Sequence, residues 1–174
     1  LDNVYYKMIA AEEAYFDSNT FDLITVGQAI HWFHFDRFYS IVNKTLKNNG
    51  ILAVIGYGKL IINSEIDELI DHLYTTILGK YWDKERKYVD ENYQTIDFPF
   101  KEIEVPDFTI QYHWNAEQLI GYLNTWSAIQ HYIKVEHSNP IDLIESELRN
   151  RISGQNIIDI KFPIISRIGI KKEI

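Results

Sequence analysis

The feature that most restricts how this chain folds is a strand, helix and strand in direct succession between Phe21 and Tyr57. Phe21–Gln28 (FDLITVGQ) is apolar and partly β-branched, as a buried strand requires. A helix is predicted from Asp36, with Phe38, Tyr39, Val42 and Leu46 spaced for one face. Lys47, Asn48, Asn49 and Gly50 close that helix with a cationic last turn and a residue free to take positive φ. Ile51–Tyr57 (ILAVIGY) follows at once and is nearly all apolar, the pattern of a strand covered on both faces. Such a unit predicts a right-handed crossover and a parallel sheet. Open parallel sheets bind ligands beyond the carboxyl ends of their strands. The first place to look for chemistry is therefore Gly27 to His34.

The flanks are less regular. Val4–Ile9 (VYYKMI) reads as a short strand, followed by a polar loop from Ala10 to Thr20. Ser64 is the expected cap of a helix carrying Ile66, Leu69, Ile70, Leu73, Tyr74 and Ile77, with Asp67 at the capping-box position and Gly79 at the end. Ile103–Tyr112 is strand-like but interrupted by Pro106. Asn115 and Gln118 make a second capping box, opening a helix through Leu119, Tyr122, Leu123 and Trp126. Asn139–Pro140 starts another helix, and Ile157 to Ile170 reads as a final strand or strand pair, with Pro163 marking a bulge or an edge.

Composition narrows the function classes. A net charge of −8, with only 17 basic residues spread along the chain, argues against nucleic acid as a partner. No apolar run reaches the roughly 18–20 residues that span a bilayer. Without cysteine there is no disulfide, Cys–zinc site or thiol catalysis, and a cytoplasmic protein is the simplest expectation. His31 and His34 lack a third ligand or a nearby carboxylate, so no metal site is expected. Walker, GxGxxG and GxSxG motifs are absent.

At the strand end, Gly27 would let a ligand approach the backbone. Trp32 and Phe33 could stack on a planar group or pack the strand–helix corner, and His31 could exchange a proton near neutral pH. The loop pair Glu12-Glu13 reads as solvated, though it lies close to the site.

The stretch from Ala10 to Gly58 (AAEEAYFDSNTFDLITVGQAIHWFHFDRFYSIVNKTLKNNGILAVIGYG) resembles the middle of a class I S-adenosylmethionine-dependent methyltransferase. The wording QAIHWF, together with Trp82–Tyr93 (WDKERKYVDENY), Phe98-Pro99-Phe100 and Tyr122–Ala128 (YLNTWSA), is similar to the branch of trans-aconitate methyltransferases. The resemblance implies an α/β, Rossmann-like sheet, mostly parallel with one antiparallel strand, here lacking its first two strands and their glycine-rich loop. It implies one partial domain over residues 1–174, with residues 59–150 as a helical cap on the substrate side. The natural polypeptide is then expected to be longer, or another chain to complete the sheet, with self-association as an alternative.

The resemblance also assigns roles. S-adenosyl-L-methionine is the implied cofactor and a small-molecule methyl acceptor the implied partner. Ala11 and Glu12 match the loop over the adenine ring, with Ala10 where many members carry an acid. Gly27 and Gln28 match positions beside the methionine portion. Trp32, with His31 and Phe33, would border cofactor and substrate. Tyr122, Trp126 and Ser127 match the substrate-side cap, with Arg86 a candidate there and Arg37 a weaker one. The implied reaction is methyl transfer to a carboxylate or hydroxyl oxygen, His31 acting as base for a hydroxyl. A scaffold subunit that has lost cofactor binding is the alternative, and another nucleotide-binding α/β protein a third reading.

Overall fold

The computed structural model describes residues 2–172. The chain divides into two compact units, one of residues 1–57, 88–106 and 165–174, the other of residues 58–87 and 107–164.

The first unit is built on β1 (Phe21–Gly27), α1 (Phe35–Thr45) and β2 (Leu46–Tyr57). β1 and β2 are parallel, in register from Leu23 opposite Ile51 to Gly27 opposite Ile55. The expected strand–helix–strand unit is therefore present. Phe38, Tyr39 and Val42 of α1 are buried with Val26, Leu46, Leu52 and Val54 in one core. The apolar stripe read from the sequence is thus the face that meets the sheet. In the strand order β1-β2-β5-β3, β5 (Ile158–Ile170) lies beside β2, and the short β3 (Lys101–Glu102) pairs antiparallel with its last residues. α3 (Arg86–Asp90) begins at the boundary between the units and leads into the segment before β3. Parallel and antiparallel pairings thus combine in one sheet, as the resemblance implies.

Three expectations for this unit change. Val4–Ile9 belongs to no strand, and Tyr5, Tyr6 and Met8 are 87%, 91% and 104% exposed. β-propensity produces a strand only where a partner ladder accepts the backbone. The left-handed residue after α1 is Asn49 (φ 63°), not Gly50. Gly50 serves close packing instead: a Cβ there would stand 2.9 Å from the Lys47 carbonyl oxygen. β1 is also more exposed than a fully covered strand, with Leu23 at 54%.

In the second unit, α2 (Ser64–His72) runs into a π-helical turn at Leu73–Ile77. Its cap is Asn63, whose side chain accepts from Ile66 N at 3.0 Å, one residue earlier than expected. Asp67 accepts instead from Ile62 N at 2.8 Å. β4 (Thr109–Trp114) pairs antiparallel with residues 158–163 of β5, Pro163 lying opposite Thr109. The Asn115–Gln118 capping box is formed and opens α4 (Ala116–Leu123). That helix stops before Trp126, which caps α5 (Ser127–Glu136) instead of continuing α4. Asn139 caps a 3-10 turn at Pro140–Leu143, and α6 (Glu145–Ile152) follows. Leu69, Leu73, Leu119, Leu123, Ile129, Leu148 and Ile160 share the core of this unit.

Candidate active site

The sequence motif after β1 folds as a tight corner. Gln28 takes a left-handed conformation (φ 50°), and Ile30–Trp32 forms one 3-10 turn before α1. The Gln28 side chain works as an added rung of the sheet. Its Oε1 accepts from Tyr57 N at 2.7 Å and its Nε2 donates to Tyr57 O at 3.3 Å, while Gln28 N donates to Ile55 O at 2.7 Å. Gln28 thereby fixes the carboxyl ends of β1 and β2 to each other.

Glu12 has a comparable structural task. Its carboxylate accepts from His34 N at 2.7 Å, pinning the 3-10 turn Ala11–Glu13 to the start of α1. An acid facing the first turn of a helix is also favoured by the helix dipole.

Ala11, Gly27 and Phe33 line a cleft of about 430 Å³ along β1, with Ala14, Ala29 and Phe38. Nothing lies within 4 Å of a Cβ placed at Gly27, so the backbone there is open to a ligand. The side chains facing this cleft are mostly apolar, with Thr25 and Thr45 the polar ones. That chemistry fits the adenine end of S-adenosylmethionine, a flat and weakly polar group, better than its charged amino-acid end. Trp32 is 55% exposed, and its ring lies 4.9 Å from that of His31.

His31 is buried at 7% exposure. Its ring stacks on Tyr93 at 6.0 Å, with Nδ1 3.5 Å from the Tyr93 hydroxyl. Tyr93 is in turn held by Arg167, which donates from Nη1 to the Tyr93 and Ile96 carbonyls and pairs with the Glu102 carboxylate. Arg167 is 8% exposed and lies over the Phe98 ring at 4.6 Å. Sequence reading did not assign this Tyr93–Arg167 group. One available sign was Gly56 inside a strand, which often marks a close approach. A Cβ at Gly56 would come 2.9 Å from the Tyr93 hydroxyl and nearer still to Gln28 Oε1.

Of the residues expected on the substrate side, Arg86, Tyr122, Trp126 and Ser127 belong to the second unit, and Phe33 and Arg37 to the first. Arg86, Tyr122 and Trp126 are brought into one aromatic cluster. Tyr74 stacks with Trp82 at 4.5 Å, and Trp126 meets Tyr74 and Trp82 at 5.5 and 5.6 Å. Tyr122 joins through Trp126 at 6.2 Å. Arg86 lies over Trp82 at 5.1 Å and donates from Nε to the Tyr74 hydroxyl at 2.9 Å. Ser127 is exposed as the first residue of α5, and Arg37 is exposed on α1. Tyr74 and Trp82, with Lys59 5.9 Å above the Tyr74 ring, were not assigned from sequence. The helical spacing of Tyr74 reads equally well as core, and Trp82 stands outside any helix.

A Dictyostelium discoideum protein named as a methyltransferase is 32% identical over 179 residues, covering 99% of this chain and 68% of that protein. The chain belongs to the methyltransferase family. A solved structure described as a type II methyltransferase from Anaeromyxobacter dehalogenans superposes on this member with a TM-score of 0.88. It is 29% identical and covers 98% of this chain and 73% of its own. The fold is accordingly the class I, S-adenosylmethionine-dependent type. No family model matches the methyltransferase chain. Among the described residues, no three His, Asp or Glu side chains group to hold a metal, and no helix is long and apolar enough to cross a membrane.

Proposed function

We propose that this methyltransferase moves a methyl group from S-adenosyl-L-methionine to a small-molecule oxygen nucleophile, a carboxylate or a hydroxyl. The reading carries with it the trans-aconitate-like branch and a cytoplasmic location. The observation that carries it is the apolar cleft beside β1, where Ala11, Phe33 and the open face of Gly27 meet. When bound, the cofactor supplies a sulfonium methyl that is already electrophilic. The residues of the chain then have to bind, orient and keep water out.

Ala11 and Glu12 would cover the flat ring, Gly27 and Gln28 would shape the backbone next to the methionine portion, and Phe33 would border the acceptor. Trp32 would border the cofactor with its exposed ring. Residues 59–150 would act as the substrate-side cap, where Arg86 can orient an acid by a bidentate pair. Tyr122, Trp126 and Ser127 would wall the acceptor. Holding two reactants in line in this way is worth roughly 7–11 kcal/mol. A carboxylate acceptor is ionised near neutral pH and needs no base. A hydroxyl acceptor would turn to His31.

Titration of S-adenosylhomocysteine into this chain and into the longest reading frame containing it tests the reading by calorimetry. Saturable binding by either supports it. Heat of dilution alone from both overturns it in favour of a scaffold without cofactor.

A further inference from the structure

We propose that the cleft between α1 and the segment leading to β3 binds a small organic amine. Asp36 and Asp97 meet its positive charge, and the Tyr39 hydroxyl accepts from its N–H. The inference does not depend on the methyl-transfer reading, because this cleft shares no residue with the one along β1.

α1 presents two stripes of different chemistry. Phe38, Ile41, Val42 and Thr45 line the cleft along β1. Asp36, Tyr39, Ser40 and Asn43, spaced i, i+3, i+4 and i+7, line a second cleft of about 620 Å³. At 3.6 residues per turn the two stripes fall on nearly opposite sides of the helix. The segment leading to β3 contributes Thr95 and Asp97, and Phe35 and Tyr88, edge to face at 5.4 Å, add an apolar part. The volume suits a small molecule. Asp97 is well placed to be a fixed wall: its neighbour Ile96 is buried, and the Ile96 carbonyl accepts from Arg167.

Two observations set the chemistry of the occupant. No Lys, Arg or His lines the cleft, and the Asp36 and Asp97 carboxylates make no hydrogen bond or ion pair among the described residues. The second observation is Tyr39. It is 6% exposed, yet its hydroxyl has no hydrogen-bond partner among the described residues. Buried polar groups are nearly always paired, so an exception calls for a cause. Burial, opposed by Arg167 and aided by the Asp97 and Glu102 charges, pushes its ionisation up to about 12. The phenol therefore keeps its proton at neutral pH and offers a neutral oxygen near the Asp97 charge. A merely solvated acidic patch would leave carboxylates without partners, but not a hydroxyl shut away from water.

An ammonium group answers both observations, since it carries one positive charge and several N–H donors. An anion would meet two like charges. A metal ion needs more ligands, and among the described residues no three His, Asp or Glu side chains group to hold one. The rings of Phe35 and Tyr88 suit the carbon chain of an amine.

The test is a proton–nitrogen correlation NMR titration of the full 15N-labelled chain with butylammonium chloride at physiological ionic strength. Butanol and butyrate serve as the uncharged and anionic counterparts. Expected are shifts that saturate in the amides of residues 35–43 and 95–99 with butylammonium alone. Asp36→Asn and Asp97→Asn should each weaken binding about three- to fivefold. Both residues are exposed, so these variants keep the fold. Tyr39→Phe should weaken it about tenfold, because a hydrogen bond to a charged group is lost. Glu68→Gln removes an exposed charge on α2, outside the cleft, and should leave the affinity unchanged. Shifts that stay linear, or the same amides saturating with butanol or butyrate, overturn the site. An equal loss in Glu68→Gln also overturns it, leaving only the attraction of a cation to a chain of net charge −8. So does an affinity unchanged in Tyr39→Phe.

Discussion

The two units hold their candidate site side chains by different means. In the first, Gln28 and Glu12 are tied by directional hydrogen bonds to backbone groups at a strand end and a helix start, and Arg167 to the Tyr93 and Ile96 carbonyls. In the second, Tyr74, Trp82, Trp126 and Tyr122 meet ring against ring with Arg86 on their faces, and one backbone bond, Trp82 Nε1 donating to Tyr74 O at 3.0 Å, is added. Hydrogen-bonded corners fix positions closely, because each group has a partner at one distance and angle. Ring clusters tolerate offset and tilt at small energetic difference.

The largest expected effect comes from breaking the hydrogen-bonded side. Arg167→Ala strands the Tyr93 and Ile96 carbonyls, and at about 1–3 kcal/mol for each unpaired buried group we expect this to be the largest loss of stability in urea denaturation. A loss below about 1 kcal/mol would show that the segment before β3 holds itself.

Tyr39 sharpens the same side. Its hydroxyl is buried with no hydrogen-bond partner among the described residues. Burial, opposed by the nearby Arg167 charge, pushes its ionisation up to about 12. A phenol near 10 in the unfolded chain and about 12 in the folded one costs stability as pH rises between those values. Wild type should therefore lose on the order of 2 kcal/mol relative to Tyr39→Phe across that window. At neutral pH the variant should be more stable by about 1–3 kcal/mol, since the unpaired hydroxyl is gone. Equal denaturation midpoints at both pH values would mean that the hydroxyl is hydrated.

On the ring-held side, Trp82→Phe should cost about 1–2 kcal/mol, because a smaller ring still meets Tyr74 and Trp126 but the indole donor to Tyr74 O is lost. Under the proposed function, Arg86→Ala should raise KM for the acceptor at least about tenfold and leave S-adenosylhomocysteine affinity within about twofold. A parallel loss of cofactor affinity would contradict the division.

The smallest effect locates a cap. Asn63→Ala should destabilise α2 by about 1 kcal/mol, whereas Ser64→Ala should change stability by a few tenths. The reverse order would move the helix start back to Ser64.

Local signals told most where both partners of an interaction are close in sequence. The Asn115–Gln118 box and the α1 stripe of Phe38, Tyr39 and Val42 are examples, because helical periodicity and caps are properties of consecutive residues. The α2 cap was misread by one position because Asn63 and Ser64 are both good caps, and tertiary placement chose between them. Val4–Ile9 has strand composition but no ladder to join.

The sequence by itself determined the βαβ unit, the placing of a ligand-facing corner after β1 and the resemblance that named the family. All of these are written in periodicity and local wording. Only the tertiary structure decided that Gln28 joins two strand ends, that Arg86 and Trp126 meet through Tyr74 and Trp82, and that Arg167 holds Tyr93 against His31. Those contacts join residues far apart along the chain. Their geometry depends on how strands and helices pack, which no local pattern encodes.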